Sequence, residues 1–231
     1  MENLEKVEKN TDDSILYGLV KKIAMPPAET KNMVAIMKAN VINSNPSLTS
    51  KEINKHVAKS IVDKYCWLSS LTGGATALTG VIPGVTTVLA AVGGTTADVA
   101  LTMKYQVDMC MCLAENYGYD ITTVDAQNIS FLIACGATIE NFGSKGAIKI
   151  GSKASVKMVQ TYLKGAVLTT IKEMFKKIGI TFTRKALEKM IPFGVGVVIG
   201  SSANYFLTKY VGKKAIKWFN EDLKLREENE A

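Results

Sequence analysis

The sequence has few of the residues on which catalytic and metal sites depend. It contains one histidine, His56, so nucleophilic catalysis of the Ser/His/Asp or Cys/His kind has a single imidazole available. The cysteines lack the Cys-x-x-Cys spacing of a metal site and lie in apolar surroundings, which predicts buried, reduced thiols. They are Cys66, Cys110, Cys112 and Cys135. With no catalytic constellation recognisable, we expect a protein that is not an enzyme and needs no cofactor.

Arginine is also scarce, since only Arg184 and Arg226 occur. Recognition of phosphates and bases usually relies on the guanidinium group, so this scarcity argues against a nucleic-acid partner. The acidic start of the sequence, Met1-Glu2-Asn3-Leu4-Glu5, has no apolar segment behind it, and we expect no secretory signal peptide. Strictly alternating polar and apolar segments are rare too, which favours an all-α fold over sheet.

Two stretches contain no charged residue: 65–97, and the shorter 191–208. An uncharged, mostly apolar run of about 18 residues or more is long enough to span a membrane. Both runs are rich in small residues and are interrupted by proline and glycine, which bend or end helices. We therefore predict two Gly/Pro-punctuated apolar helical hairpins that either enter a bilayer or form the dry core of a helical bundle. The predicted bends are Pro83, Gly84, Pro192 and Gly194.

Two side chains near the first run have two open interpretations each. Asp98 follows the run, and a carboxylate in apolar surroundings is costly to bury without a proton or a partner. It is a candidate functional carboxylate that contacts an ion, a proton or a headgroup. The alternative is no function, with Asp98 as a helix cap, as a hydrogen-bond partner of the neighbouring Thr95 or Thr96, or simply exposed to solvent. Trp67 suits a membrane interface, and it suits a protein core equally well.

Positive charge is concentrated in one segment. The chain carries a net charge of +7, yet residues 141–220 alone hold fifteen bases and two acids, or +13. A localised basic field attracts an anionic surface. Four lysines of this segment recur every fourth residue, which would align them on one helix: Lys145, Lys149, Lys153 and Lys157. This stripe is a candidate contact for anionic lipid headgroups; its alternative is an ordinary solvated face.

Local signals divide the chain into a polar leader (1–13), a single all-helical domain (14–220) and a charged tail (221–231). Helices are predicted over about 14–24 and 28–43, separated by Met25-Pro26-Pro27. Further signals are a capping box at Thr49-Ser50-Lys51-Glu52, a cap at Thr122 or Thr123 for a helix over about 123–140, and Gly118 as a helix stop. Lys104, Gln106 and Asp108 mark where the long apolar helix regains polarity.

Several segments, in this order, resemble the EcsC protein family of bacteria over roughly 53–219. They are Thr72-Gly73-Gly74, Ala97-Asp98, Tyr117-Gly118-Tyr119-Asp120, Ala147-Ile148-Lys149-Ile150-Gly151-Ser152-Lys153 and Ile191-Pro192-Phe193-Gly194-Val195-Gly196. Val99 departs from the family, in which Leu-Pro often follows the aspartate. The helical domain that follows some bacterial GTPase domains is a more distant similarity, but the sequence has no Gly-x-x-x-x-Gly-Lys-Ser/Thr motif. The resemblance implies a largely helical, membrane-associated bacterial protein.

These observations together predict a non-enzymatic protein on the cytosolic side of the cytoplasmic membrane, either peripheral or inserted. Its expected partners are membrane lipids with anionic headgroups. The resemblance adds a membrane transporter as a candidate partner, because the family's naming member is encoded beside an ABC exporter. Two alternatives stay open: a soluble, cytoplasmic helical module that binds a lipid or another hydrophobic ligand, and a pore-forming protein.

Overall fold

The structure, a computed structural model, describes residues 15–72, 94–143, 149–181 and 201–230. Within these ranges it contains eight helices and no strand, which confirms the predicted all-α fold. In chain order the helices are α1 (15–23), α2 (Pro27–Ser44), α3 (Ser50–Ser70), α4 (Gly94–Asn116), α5 (Val124–Asn141), α6 (Lys153–Leu163), α7 (Val167–Thr181) and α8 (Ser201–Glu230).

Local capping signals set several of these boundaries as predicted. At the start of α3 the Thr49 hydroxyl accepts the Glu52 N–H, and the Glu52 carboxylate accepts the Thr49 N–H at 2.9 Å, so the capping box is confirmed. Thr123, rather than Thr122, caps α5 by accepting the Ala126 N–H at 3.3 Å. Gly118 follows α4 with φ of +85°, a left-handed conformation that glycine adopts without strain.

Helix α4 is the central helix of the bundle. It packs against α2, α3, α5 and α8, and every side chain from Val99 to Ala114 is buried. The sequence regains polarity at Lys104, Gln106 and Asp108, yet all three side chains lie inside the protein, so this polarity does not form a solvated face. The helix also runs without interruption through Asp98 and Val99.

Helices α3 and α8 pack closely and run antiparallel. A Cβ atom at Gly212 of α8 would lie 2.8 Å from the γ-carbons of Val62, so glycine permits this approach. Toward the end of α3, Ser69 contacts Thr208, and Thr72 then contacts Asn204. Later residues of α3 therefore contact earlier residues of α8, which shows that the two helices are antiparallel.

Helix α4 is also antiparallel to α3. Asn116, at the end of α4, donates to the carbonyl of Asn54 near the start of α3. Gln106 lies at the level of Ser69, since both contact Thr208. The end of α3 and the beginnings of α4 and α8 therefore lie at one end of the bundle, which we call the Thr72 end.

The predicted boundary at 221 falls inside α8, which continues to Glu230. Asp222 is buried, accepts a hydrogen bond from the Tyr119 hydroxyl at 2.6 Å and lies 2.9 Å from Nε of Arg226. The first two turns of the predicted charged tail are thus part of the fold. Residues 1–14 lie outside the described residues, as do the predicted bends Pro83, Gly84, Pro192 and Gly194.

None of the described helices is both long enough and apolar enough to cross a membrane. Most of the two uncharged runs, at residues 73–93 and 191–200, falls outside the described ranges. The predicted apolar hairpins therefore stay a prediction.

Candidate functional site

A chain of hydrogen bonds crosses the interior of the bundle and joins α5, α4, α8 and α3. The Thr138 hydroxyl donates to Oε1 of Gln106 at 2.7 Å, and Nε2 of Gln106 donates to Thr208 at 3.5 Å. The Thr208 and Ser69 hydroxyls are 2.7 Å apart, and Ser69 donates to the backbone carbonyl of Asn204 at 3.0 Å. Because Ser69 uses its proton on that carbonyl, Thr208 is the donor in the pair.

The chain of hydrogen bonds continues to the Thr72 end. Nδ2 of Asn204 donates to the Thr72 hydroxyl at 2.8 Å, and this hydroxyl donates to the backbone carbonyl of Ser69 at 2.8 Å. All of these side chains are buried. A buried polar network whose donors are satisfied fixes one arrangement of the helices that carry it. Sequence reasoning missed this network, because isolated Ser, Thr and Asn residues in apolar helices have no distinctive spacing.

A buried ion pair lies one turn apart on α4. Nζ of Lys104 contacts Oδ2 of Asp108, and the two residues are 6% and 0% exposed. Oδ1 of Asp108 accepts the backbone N–H of Met25 at 2.8 Å. Burial raises the pKa of Asp108, against the opposing effects of the Lys104 ammonium and the Met25 N–H. The carboxylate thereby attaches the corner between α1 and α2 to the central helix.

Asp98 lies near the start of α4, at the Thr72 end, and is partly buried. Its Oδ1 has no hydrogen-bond partner among the described residues, and burial raises the pKa of its carboxyl. The buried hydroxyls of Thr102 and Tyr105 likewise have no partner there. At 100° per residue these three positions fall within about 60° on the helix. One face of α4 thus carries three polar groups without partners in the described part of the protein.

The predicted lysine stripe does not form a single helical face. Lys145 lies outside the described residues, and Lys149 precedes α6, which begins at Lys153 after the Ser152 cap. Only Lys153 and Lys157 therefore share a described helix, so the prediction of one continuous stripe was wrong. Lys153 also pairs with Glu228 of α8 at 3.1 Å. Both partners are largely exposed, so this ion pair adds little stability.

The two tryptophans have opposite environments. Trp67, in the last turn of α3, is 60% exposed, whereas Trp218 of α8 is fully buried. Of the two interpretations of Trp67, the structure excludes the core position.

A groove of about 220 Å³ opens between α5, α6 and α7. Its floor and walls are apolar and include Leu132, Ile139, Val159 and Met174. The polar groups at this groove come from Tyr162, Thr170, Glu173 and Lys177. An apolar groove with a few polar groups at its mouth can hold the hydrophobic part of an amphipathic ligand.

The cysteines are all buried and unpaired, as predicted. Burial raises the pKa of Cys66 to about 11 and that of Cys112 to about 12, so neither is a reactive thiolate at neutral pH. His56 is exposed on α3. In the part of the chain that the structure describes, no group of three His, Cys, Asp or Glu side chains could hold a metal ion.

The described helices define an all-helical bundle with a chain of hydrogen bonds through its centre. The EcsC protein family matches residues 5–221, which is most of the chain. The protein therefore belongs to the EcsC protein family, and the resemblance seen in the ordered short segments is confirmed. No curated protein and no solved structure matches the chain significantly.

Proposed function

We propose that this protein attaches to the cytosolic face of the cytoplasmic membrane through the Thr72 end of the bundle, without carrying out a chemical reaction. The observation that supports the proposal is the position of the described ends of the two uncharged runs. The first run joins α3 to α4, and the second leads into α8. Thr72, Gly94 and Ser201 all belong to the Thr72 end, so the described ends of both uncharged runs lie at one end of the bundle.

The basic segment adds an electrostatic attraction. Residues 141–220 carry an excess of thirteen positive charges. Of the described lysines in this segment, Lys209 lies near the start of α8 and therefore near the Thr72 end, whereas Lys153 pairs with Glu228 at the other end of α8. Each lysine close to an anionic bilayer contributes about 1 kcal/mol, within a Debye length of the surface. Anionic lipids are therefore the proposed partners, and a membrane transporter is a candidate protein partner.

Co-sedimentation with vesicles tests this proposal. We expect the protein to sediment with vesicles of phosphatidylglycerol and phosphatidylcholine, and to do so less with phosphatidylcholine alone. Part of the binding should persist at about 1 M salt, since salt screens exposed charges but leaves apolar contacts intact. The proposal fails if the protein stays in the supernatant with anionic vesicles at low salt. Release of a trapped dye in the same mixtures would favour the pore-forming alternative.

The groove between α5, α6 and α7 supports a second candidate function, the binding of a hydrophobic ligand. Its volume of about 220 Å³ exceeds that of an engineered apolar cavity of about 150 Å³ that binds benzene. A fluorescent fatty-acid analogue is the probe. Met174→Trp should fill the groove and weaken binding, whereas Lys172→Trp, on the exposed face of the same helix, should not. Equal binding by wild type and Met174→Trp would exclude this groove as the site.

A further inference from the structure

Two large aromatic side chains are exposed at the Thr72 end. Trp67 is 60% exposed and Phe206 is 61% exposed, and they are the only aromatic residues among the exposed large hydrophobics of the described part of the chain. Trp67 lies in the last turn of α3 and Phe206 in the second turn of α8. They come from sequence positions far apart, so no local pattern accounts for their joint exposure.

The antiparallel packing of α3 and α8 brings Trp67 and Phe206 to about the same level of the bundle, since Ser69 of α3 contacts Asn204 and Thr208 of α8. A shallow, open depression of about 260 Å³ lies between the two helices and is lined by Ser70, Ser202, Tyr205 and Phe206. The Ser70 hydroxyl donates to the Trp67 carbonyl at 2.6 Å, and the Tyr205 ring meets Phe206 edge-on at 5.6 Å. We call these five residues the aromatic surface.

Lysines lie beside the aromatic residues, on the side away from the Thr72 end. Lys64 precedes Trp67 by three residues, and Lys209 follows Phe206 by three, which on antiparallel helices places both lysines about 4.5 Å further from that end. Nζ of Lys209 also lies 5.4 Å from the centre of the Tyr205 ring. On both helices the order away from the Thr72 end is therefore uncharged sequence, aromatic ring, lysine.

The net charge beside the aromatic surface is positive. Lys59 and Lys64 on α3 and Lys213 on α8 are exposed, and Asp63 is the one acidic residue in the last two turns of α3. The order of uncharged residues, aromatic ring and lysine matches a bilayer surface. There aromatic rings favour the boundary between acyl chains and headgroups, and lysines reach the phosphates. A protein partner would have no need of the same order on two separate helices.

We propose that the aromatic surface is the part of the folded bundle that enters the headgroup region of an anionic bilayer. The Trp67 and Phe206 rings lie at the level of the acyl-chain boundary, while Lys64 and Lys209 contact lipid phosphates. This inference rests on the proposed function and deepens it, because it assigns the membrane contact to two described aromatic rings and to the lysines beside them.

Tryptophan fluorescence tests the inference directly, because Trp67 and Trp218 are the only tryptophans. The variant Trp218→Phe leaves Trp67 as the single reporter, and Trp67→Phe leaves the buried Trp218 as the matched control. With vesicles of phosphatidylglycerol and phosphatidylcholine we expect Trp67 emission to shift to shorter wavelength. Lipids brominated on the acyl chain should quench it, while the emission of Trp218 should stay unchanged.

The same samples separate the two proposals. The protein could sediment with the vesicles while the emission of Trp67 stays at its original wavelength and is still quenched by iodide. That result would overturn the inference and leave the proposed function standing. Failure of the protein to sediment with anionic vesicles would overturn both. Equal shifts of Trp67 and Trp218 would mean that the bundle opens, which also contradicts docking of a folded surface.

A second pair of variants keeps the inference testable if Trp218→Phe does not fold. Trp67→Ser together with Phe206→Ser should weaken partition into the same vesicles by about tenfold or more, from the loss of two buried rings. The control is Ile36→Ser with Ile42→Ser, which removes two exposed apolar side chains from α2. Comparable weakening by both pairs, or none by the first, would contradict the inference.

Discussion

At the scale of single residues, the ion pair between Lys104 and Asp108 is the largest departure from expectation. Two charged side chains lie in the centre of an otherwise apolar helix, and the carboxylate also binds the Met25 N–H. Removing one partner of such a pair leaves a buried charge without compensation, which usually costs about 3–5 kcal/mol. Replacing both partners costs much less.

A double-mutant cycle tests this account. Asp108→Asn keeps an acceptor for the Met25 N–H but leaves Lys104 unpaired, so we expect the free energy of unfolding in urea to fall by about 3–5 kcal/mol. Adding Lys104→Met should restore most of this loss. Lys224→Gln, which breaks the exposed pair with Glu221, is the control and should cost less than about 1 kcal/mol. A small effect of Asp108→Asn alone would show that the buried Lys104 ammonium does not depend on this carboxylate.

Asp98 gives a prediction about pH. Burial raises the pKa of its carboxyl above the ordinary value of 3.8, so the folded protein binds more protons than the unfolded chain between the two pKa values. The contribution of Asp98 to the free energy of unfolding is therefore most favourable below pH 3.8. It becomes less favourable as the pH rises through the pKa of this carboxyl in the folded protein. Asp98→Asn should raise the free energy of unfolding at pH 7 by about 1 kcal/mol, the scale of one unmade hydrogen bond.

The difference between Asp98→Asn and wild type should vanish below pH 3.8, where the carboxyl is protonated in both states. Chemical unfolding across this pH range measures it. A loss of stability at pH 7 in Asp98→Asn would instead indicate that the charged carboxylate has a partner.

At the scale of the elements, close packing of α3, α4 and α8 depends on one glycine. A Cβ at Gly212 would meet both γ-carbons of Val62 at 2.8 Å and Sδ of Met109 at 3.2 Å. Since the Val62 contacts are closer than real Cβ atoms show, one helix must shift when a methyl group is added. The helices joined by the buried chain of hydrogen bonds would then separate.

Two glycine substitutions should have opposite effects. Gly212→Ala should destabilise the protein by about 1–3 kcal/mol through overpacking, and Val62→Ala in the same chain should recover part of the loss. Gly18→Ala is the matched control, because nothing lies within 4 Å of its added Cβ on α1. It should stabilise by about 0.5–1 kcal/mol, since alanine favours a helix over glycine. Destabilisation by both would contradict the packing argument.

At the scale of the whole molecule, the end of α8 completes the bundle. Asp222 accepts the Tyr119 hydroxyl, and Arg226 donates to the Tyr117 carbonyl at 3.2 Å, so α8 supports the turn after α4. The Arg226 guanidinium also lies 4.8 Å from the centre of the Tyr119 ring. The segment that composition marks as a charged tail is therefore a packed part of the fold up to Arg226.

Two truncations test the role of this segment. A chain that ends after Asn220 should lose about 2–4 kcal/mol of stability, because the Tyr119 hydroxyl loses its acceptor and the Tyr117 carbonyl its donor. A chain that ends after Glu227 keeps both contacts and should unfold within about 0.5 kcal/mol of the full chain. Thermal and urea unfolding measure both. Equal stability of the two truncated chains would restore the predicted boundary at 221.

Local signals in the sequence determined the limits of several helices. The capping box at Thr49, the cap at Thr123 and the stop at Gly118 act through hydrogen bonds and backbone preferences within a few residues, so they are readable without a fold. The ordered segments of the EcsC family are readable for the same reason. The absence of charge from two long runs is likewise a property of the sequence alone.

Only the tertiary structure decided which side chains are buried and which come together. A lysine and an aspartate four residues apart have the same pattern on a solvated helix as on the central helix, and the packing of α2, α3, α5 and α8 around α4 made the difference for Lys104 and Asp108. Contacts between distant segments likewise left both Trp67 and Phe206 exposed near the Thr72 end and paired Lys153 with Glu228. Burial depends on neighbours that the local sequence does not contain, which is why the Thr72 end could not be recognised before the helices were packed.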